Sequence, residues 1–296
     1  MICSERKVRV LISGISGYIG QYLVRHRPAS VTLSGTYHKQ KPAFSADIAL
    51  LPLELQKPLQ KQLEMVQADV CIHTAAMAGL ADCQRNEREA MRINAEATAE
   101  LADWCRQQGI RLIYLSTDIV FDGQNAPYNE DSKPEPVNVY GKSKLAGEQA
   151  VQEILKDFAV CRIALSLGRG LGGRRNFIDW LLEQLRQGRE VGLFNDEIRT
   201  PSPVTPLAER IWQIALSEGC GIYHCFGRTK TDRYALGRAV CRYLQKDEDL
   251  LKSVSLNDAA AYPRPADVSL TTVRRDNQPL PAVFDCLDEI LTEKDV

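Results

Sequence analysis

Along the first 165 residues, short apolar runs alternate with stretches whose apolar residues recur every three or four positions. Runs at 8–13, 31–37, 70–74, 112–115 and 159–165 are rich in Val, Ile and Leu, and their length predicts strands. Between them the pattern turns helical. One helix follows Gly17 and stops near Pro28, and another opens at Pro58 with Leu59, Leu63 and Val66 on one face. A long one over 86–108 carries Ala90, Ile93, Ala97, Leu101 and Trp104 on one stripe, with Gly109 as its stop, and a further one spans 140–156. Alternation of this kind predicts a parallel sheet covered on both faces, and right-handed crossovers make it doubly wound.

Beyond residue 166 the rhythm loosens. Residues 168–173 hold four glycines, Pro201, Pro203 and Pro206 interrupt the chain, and helical patterns return at 177–187, 206–217 and 233–245. Residues 221–226 read as one more buried strand. The expected class is α/β: a Rossmann-type doubly wound parallel sheet over 1–165, joined by about 203–227. A smaller, loop-rich C-terminal lobe, mostly 166–296, is interleaved with it.

Composition narrows the setting. With 296 residues, 44% hydrophobic and 25% charged, the chain is an ordinary globular one. Lys and Arg number 37 against 38 Asp and Glu, a net charge of -1, so no basic excess is available for a nucleic acid. The apolar stretch after Met1-Ile2-Cys3-Ser4-Glu5-Arg6-Lys7 is too short for a leader or a membrane span, which predicts a cytoplasmic protein with no membrane partner. Nine cysteines lack any Cys-x-x-Cys pair, and His26, His38, His73 and His224 lie far apart. Reduced, mostly buried thiols and no metal site are expected.

Gly14-Ile15-Ser16-Gly17-Tyr18-Ile19-Gly20 closes the first strand and opens the first helix. Glycines at this spacing allow a tight turn and let a pyrophosphate approach the helix N-terminus, and the strand–helix context makes the fingerprint meaningful. An NAD site usually places an acid at the end of the second strand. No Asp or Glu lies between Gly14 and Ala46; the chain offers Tyr37-His38-Lys39-Gln40-Lys41 instead. His38 and Lys39 suit a 2′-phosphate, so NADP(H) is favoured over NAD(H), with a merely solvated turn as the competing reading.

Tyr140-Gly141-Lys142-Ser143-Lys144 places a phenol and an ammonium four residues apart on one helix face, about 6 Å from each other. Bringing a tyrosine from pKa ~10 to about 7 costs roughly 4 kcal/mol. A cation at about 4 Å in an effective dielectric near 20 supplies a similar amount. Alone the pair is common. Ser116-Thr117-Asp118 at the carboxyl edge of the fourth predicted strand adds a hydroxyl where doubly wound folds bind ligands. Glycine turn, hydroxyl and Tyr-x-x-x-Lys together point to a dinucleotide oxidoreductase of the short-chain dehydrogenase type. Asn94 falls on the buried stripe of the long helix, where a cofactor contact and a satisfied structural amide both remain open.

The segment Leu115-Ser116-Thr117-Asp118-Ile119-Val120-Phe121-Asp122-Gly123, continuing through Pro127-Tyr128-Asn129-Glu130 and Pro136-Val137-Asn138-Val139-Tyr140-Gly141-Lys142-Ser143-Lys144-Leu145-Ala146-Gly147-Glu148, resembles the dTDP-4-dehydrorhamnose reductase family of extended short-chain dehydrogenases. Further matches are Asn176-Phe177, Leu193-Phe194-Asn195-Asp196 with Thr200-Pro201, and Arg264-Pro265 with Ser269-Leu270. The resemblance implies NADPH-dependent reduction of a 4-keto-6-deoxy nucleotide sugar in dTDP-L-rhamnose synthesis, with Thr117, Tyr140 and Lys144 catalytic. It implies that Gly14, Ser16, Gly17, Tyr18, Ile19 and Gly20 hold the pyrophosphate side of the cofactor, that Asp47 and Ile48 lie against the adenine, and that Thr74, Ala75 and Ala76 line it. Asn94 is placed with this cofactor set, and Asp118, Asn176, Arg199 and Arg264 with the nucleotide-sugar substrate.

Two departures stand out. The family usually has Tyr where this chain has Ile119, and Trp and another Tyr where it reads Leu165-Ser166-Leu167. Sugar recognition is therefore expected to differ, or to have drifted around the same substrate. The rival readings are a reductase of another nucleotide sugar, an NADP-binding regulatory subunit resembling the methionine adenosyltransferase β subunit, and an epimerase holding NAD. The missing acid after the second strand disfavours the last. Relatives form homodimers in some cases, so a homodimer is open here.

Overall fold

The computed structural model describes residues 6–39, 41–44, 47–173 and 175–292. The N-terminal stretch read against a leader lies largely outside them, as do Cys3, Gln40 and Ala46. In chain order the elements are β1 (Val8–Ser13), α1 (Tyr18–Arg25), β2 (Val31–Tyr37), β3 (Ala49–Pro52), α2 (Leu59–Gln62), β4 (Val70–His73), α3 (Leu80–Arg85), α4 (Glu87–Met91), α5 (Ala97–Gln108) and β5 (Arg111–Thr117). There follow α6 (Val139–Ile154), β6 (Phe158–Ile163), β7 (Ser166–Leu167), α7 (Phe177–Arg186), β8 (Val191–Phe194), β9 (Ser202–Pro203), α8 (Val204–Ala215), β10 (Gly221–Cys225), α9 (Arg233–Tyr243), β11 (Leu251–Val254), α10 (Leu256–Ala259) and α11 (Leu287–Thr292).

Seven strands form one sheet in the order β10-β6-β5-β4-β1-β2-β3, and every pairing is parallel. Such a sheet must be buried on both faces. One face packs under α1 and α8, where Tyr22, Leu23, Leu207, Ile211 and Trp212 meet Val10, Ile12 and Ile72. The other packs under α2, α5 and α6 through Leu59, Leu101, Trp104, Cys105 and Val151. The central strand β5 is buried along its whole length, which explains its unbroken apolar run. A third cluster, built from α7, α9, β8, β11 and α11, forms a separate core in the C-terminal part. Helix α8 packs on the main sheet and β10 pairs with β6.

The predicted strands are all present; β3 in the main sheet and the short strands β7, β8, β9 and β11 were not foreseen, and β3 matters most here. It is an edge strand of four residues ending in Pro52, too short and too broken to register as an apolar run. The long helix over 86–108 is also real in outline, but a π-helical turn at Arg92–Glu96 separates α4 from α5. In that turn the Asn94 carbonyl accepts from the Thr98 hydroxyl at 2.9 Å and the Tyr114 hydroxyl at 3.1 Å. Gly109 ends α5 in the left-handed conformation, φ +66°. The eight described cysteines are free and mostly buried.

Beneath the sheet edge, Glu148 of α6 is fully enclosed. It receives two donors from Arg162 of β6, with Nη2 at 2.8 Å, and the Ser116 hydroxyl. Removing one partner of such a pair leaves a bare buried charge. Arg162→Ala is therefore expected to lower unfolding stability by about 3–5 kcal/mol, read as a fall in the denaturant midpoint; an unchanged midpoint would contradict this account of the pair.

Candidate active site

The chain reverses its direction of winding between β1 and β4, where doubly wound sheets open a crevice at their carboxyl ends. Gly14 leaves β1 at φ +80°, and a Cβ there would lie 2.7 Å from the Ala75 backbone. A Cβ on Gly20 would lie 2.6 Å from the Gly14 carbonyl oxygen. Both glycines are thus required by close approach of backbone. The Thr74 hydroxyl donates to the carbonyls of Ser13 (2.8 Å) and Gly14 (3.1 Å), tying the end of β4 to this turn.

Two cavities meet here, sharing Gly17, Thr74 and Ala76. The first, about 400 Å³, is bounded by Gly14, Ser16, Tyr37, His38, Lys39, Ala75, Met77, Leu53, Leu55, Gln56 and Glu89. The second, about 570 Å³, is bounded by Tyr18, Ile19, Ser116, Thr117, Ile119, Tyr140, Lys144, Leu165, Ser166, Arg175, Arg199 and Arg233. Together they form a groove across the carboxyl edge of the sheet. The glycine turn, His38 and Lys39 lie at one end, and Thr117, Tyr140 and Lys144 at the other.

Helix α6 carries Tyr140 and Lys144. Asn138 caps it by accepting from the Gly141 amide at 2.9 Å. Its first turn lies so close to the 3-10 turn that follows β5, Asp118–Val120, that a Cβ on Gly141 would sit 2.4 Å from the Ile119 carbonyl. Lys144 is almost wholly enclosed, its ammonium 4.0 Å from the centre of the Tyr114 ring. Burial pulls its pKa down to about 7, against the charges of Glu148 and Cys83, which raise it. His73, bracketed by the Ser13 and Thr98 hydroxyls at 3.0 and 3.2 Å, is pulled down to about 3 by burial and by Lys144, so it stays neutral. Tyr140 moves the other way from the expectation: burial first, then the Asp118 charge, hold its phenol well above the ordinary value. The cation that opposes this is Arg199, with a hydrogen bond to the Thr117 side chain acting in the same sense.

Asp118 and Arg199 form a bidentate buried ion pair in which Asp118 is fully enclosed and Arg199 reaches the cavity lining. Burial raises the Asp118 carboxyl, and Arg199 works against that rise. Alongside lies a second pairing: Glu197, almost wholly buried, accepts from Arg233 Nε at 2.7 Å and from Arg264 Nε at 2.8 Å. Burial works to raise Glu197, but Arg233, Arg264 and Arg199 together hold it below the usual carboxylate range.

Several assignments from the sequence need correction. Asp47 pairs with Arg27 at 2.7 Å, and Ile48 lies in the core; both precede β3 and sit at the sheet edge away from the groove. The residues that follow β3, Leu53 and Leu55, line the groove instead. Asn94 does not face the groove. Its amide group accepts from the Met77 amide (2.8 Å) and donates to the Met77 carbonyl (2.9 Å) and the Ser143 hydroxyl (3.0 Å), so it positions the Met77 wall. Asp118 is sealed behind Arg199. Asn176 is committed to capping α7 in a capping box with Asp179, and its amide donates to the Gly168 carbonyl. Arg264 is held by Glu197 and by the Tyr262 hydroxyl at 2.9 Å, beyond the groove lining.

Arg233 and Glu89 were missed. Arg233 opens α9, where a cation opposes the helix dipole, and that misfit was a readable signal of a special role. Glu89 comes from α4, so no rule about strand ends could point to it. Of the departures from the family pattern, Ile119 and Leu165 face the groove, whereas Leu167 is a core residue. Among the described residues no group of His, Cys, Asp or Glu is placed to hold a metal ion, and no helix is long and apolar enough to cross a membrane.

The family described as "RmlD substrate binding domain" matches residues 8–285. The dTDP-4-dehydrorhamnose reductase of Mycobacterium tuberculosis is 30% identical over 268 residues, 88% of this chain and 83% of the relative. The chain belongs to the dTDP-4-dehydrorhamnose reductase family, a family of oxidoreductases. The methionine adenosyltransferase 2 subunit beta of Danio rerio is 32% identical, but over only 62% of this chain and 55% of that protein. In fold, the dTDP-4-dehydrorhamnose reductase of Bacillus anthracis, solved with NADP, superposes with a TM-score of 0.85 at 23% identity, covering 97% of this chain and all of that one.

The buried lysine gives this site a pH signature. Native Lys144 releases its proton near pH 7, while the unfolded lysine keeps it to about 10.4. Between those values the unfolded state binds more protons, so stability rises with pH. Relative to Lys144→Met, the unliganded wild type is expected to gain on the order of 1 kcal/mol or more across this window. Thermal melts of both proteins at neutral and alkaline pH check it; parallel curves would refute it.

Proposed function

We propose that this protein catalyses NADPH-dependent reduction of the keto group of a 4-keto-6-deoxy nucleotide sugar, as in dTDP-L-rhamnose synthesis. The observation that carries this reading is the convergence of Thr117, Tyr140 and Lys144 on one wall of a groove that runs on to the glycine turn. In this reading residues 1–165 with 203–227 hold the cofactor, and 166–296 supply most of the substrate side.

The groove suits a dinucleotide. Gly14 and Gly20 leave no space for side chains at the turn, which opens the start of α1 to a pyrophosphate. Tyr37, His38 and Lys39 end β2 with no carboxylate among them, which suits a 2′-phosphate, although Glu89 lies across the same cavity. When bound, NADPH supplies the hydride from its reduced nicotinamide. Tyr140 then donates its phenolic proton to the oxygen of the reduced carbonyl. The phenol is protonated at neutral pH, and the alkoxide left by hydride addition is basic enough to take its proton despite the raised affinity. Lys144 faces the same cavity, where it can hold ribose hydroxyls. Arg233 and Arg175, on the C-terminal side, offer positive charge to the diphosphate of the sugar nucleotide.

The test is NADPH oxidation followed by absorbance, with dTDP-4-keto-6-deoxy-L-mannose generated in the same cuvette. Turnover is expected, and Tyr140→Phe should lower kcat by ~10²–10⁴. Full activity in that variant would remove Tyr140 from the chemistry. If NADPH binds but no keto-sugar nucleotide oxidises it, a regulatory, non-catalytic role takes over. Lys39→Glu is expected to weaken NADPH binding while sparing NADH, measured by titration of nucleotide fluorescence; equal effects on both would move the 2′-phosphate elsewhere.

A further inference from the structure

The expected partner of the carbonyl is the Thr117 hydroxyl, yet that hydroxyl is already engaged. It donates its single proton toward Asp118 Oδ1 at 3.2 Å and accepts from the Ile119 amide at 3.2 Å. A hydroxyl has one proton to give. The wall beside Tyr140 therefore needs another donor if the oxygen is to be held by two groups.

Arg199 meets that need. Its backbone is pinned on both sides by Thr231, each amide donating to the other's carbonyl at 2.9 Å. Its Nε and Nη2 both donate to Asp118, which fixes the plane of the guanidinium. A guanidinium carries five N–H groups in a rigid fork, so this clamp uses only one edge. No hydrogen-bond acceptor meets Nη1 among the described residues, and Arg199 lines the cavity together with Thr117 and Tyr140. The neighbouring cations are differently placed: Arg233 lies over the Phe177 ring on the C-terminal side, and Arg175 is exposed just before α7.

Building on the reductase reading, we propose that Arg199, aimed by Asp118, donates from its free guanidinium edge to the carbonyl oxygen being reduced and stabilises the negative charge that grows there. As hydride adds to the carbon, the carbonyl π pair moves to that oxygen; Arg199 holds the charge and Tyr140 supplies the proton. Arg199 keeps its own protons throughout, because a guanidinium is always charged at accessible pH. A preorganised donor of this kind acts mainly in the transition state, so its loss falls on kcat more than on KM.

A single Arg199→Ala exchange would strand a buried carboxylate and confuse stability with catalysis. The informative variant is the double exchange Asp118→Asn with Arg199→Gln, which removes both charges and the free guanidinium edge while leaving two amides able to pair with each other. Its fold is checked by thermal melting and its NADPH affinity by titration. With both near wild type, kcat is expected to fall by about 10²–10³ and KM by no more than a few-fold. A kcat within about threefold of wild type would show that Arg199 merely neutralises Asp118 and would overturn the proposal. Arg199→Lys is the second variant should the double exchange not fold. It keeps the charge but lacks the fork, so kcat should fall at least about tenfold; an unchanged kcat overturns the proposal equally. Wild-type turnover and the Tyr140→Phe control separate the two levels. No wild-type turnover sinks the reductase reading itself, whereas active wild type, inactive Tyr140→Phe and an active double variant sink only the role of Arg199.

Discussion

Helix α6 can carry Tyr140 and Lys144 to the sheet edge only because its backbone lies almost against β5 and the π turn. At Gly141 a Cβ would meet the Ile119 carbonyl, and at Gly147 it would lie 2.3 Å from the Tyr114 hydroxyl and 2.5 Å from the Asn94 carbonyl. Next to the second of these contacts Glu148 is drawn beneath the sheet edge by Arg162 and Ser116. The helix is therefore fixed in height, rotation and distance. The π turn belongs to the same arrangement, since the Asn94 carbonyl accepts from Tyr114 and Thr98 while its side-chain amide donates to the Ser143 hydroxyl of α6. A site on such a support can keep a phenol and an ammonium in place with little freedom to lose on binding.

Electrostatics in the groove follow from what lies behind it. Lys144, Arg175, Arg199 and Arg233 face the cavity, while Asp118 and Glu197 sit behind the arginines they hold. The carboxylates aim the cations and keep them from being bare buried charges, yet the surface offered to a ligand is positive. That suits an anionic substrate and explains why Asp118, read from its position after Thr117 as a substrate contact, is not itself presented. Ile119 and Leu165 line the cavity with aliphatic side chains, so that part of it is shaped by branched carbon rather than by rings.

Much of this was legible in the sequence, and the failures have physical reasons. The glycine turn, the central strands and the Tyr140–Lys144 helix were readable because each depends on local spacing or on a strand buried on both faces. The error at Asp47 and Ile48 follows from the unseen β3. The residues that enter the groove come after a parallel strand, so missing the strand moved the assignment to its wrong end. Asn94 was read as an inward-facing amide in need of a partner, and its partners are the protein's own Met77 and Ser143; Asn176 and Arg264, assigned to the substrate by resemblance, are likewise engaged within the protein, by the start of α7 and by Glu197. A sequence shows that such a residue must be satisfied, not by whom. Pairings between distant segments, such as Asp118 with Arg199, carry no local signature at all.

The proton affinities bear on how the site could act. The Tyr140 phenol, held above its ordinary value, is protonated at neutral pH, as an unperturbed phenol also is, and can give its proton only to a stronger base such as an alkoxide. Lys144, drawn down to about 7, gains full charge only when something in the groove favours it. A reducing enzyme needs no phenolate before the hydride moves; it needs a proton ready and a place for the charge that precedes proton transfer. In the proposed reduction Tyr140 supplies the first and the clamped Arg199 the second. Asp118 then acts on the two in opposite senses, aiming the cation that receives the charge while holding the proton of the phenol more tightly.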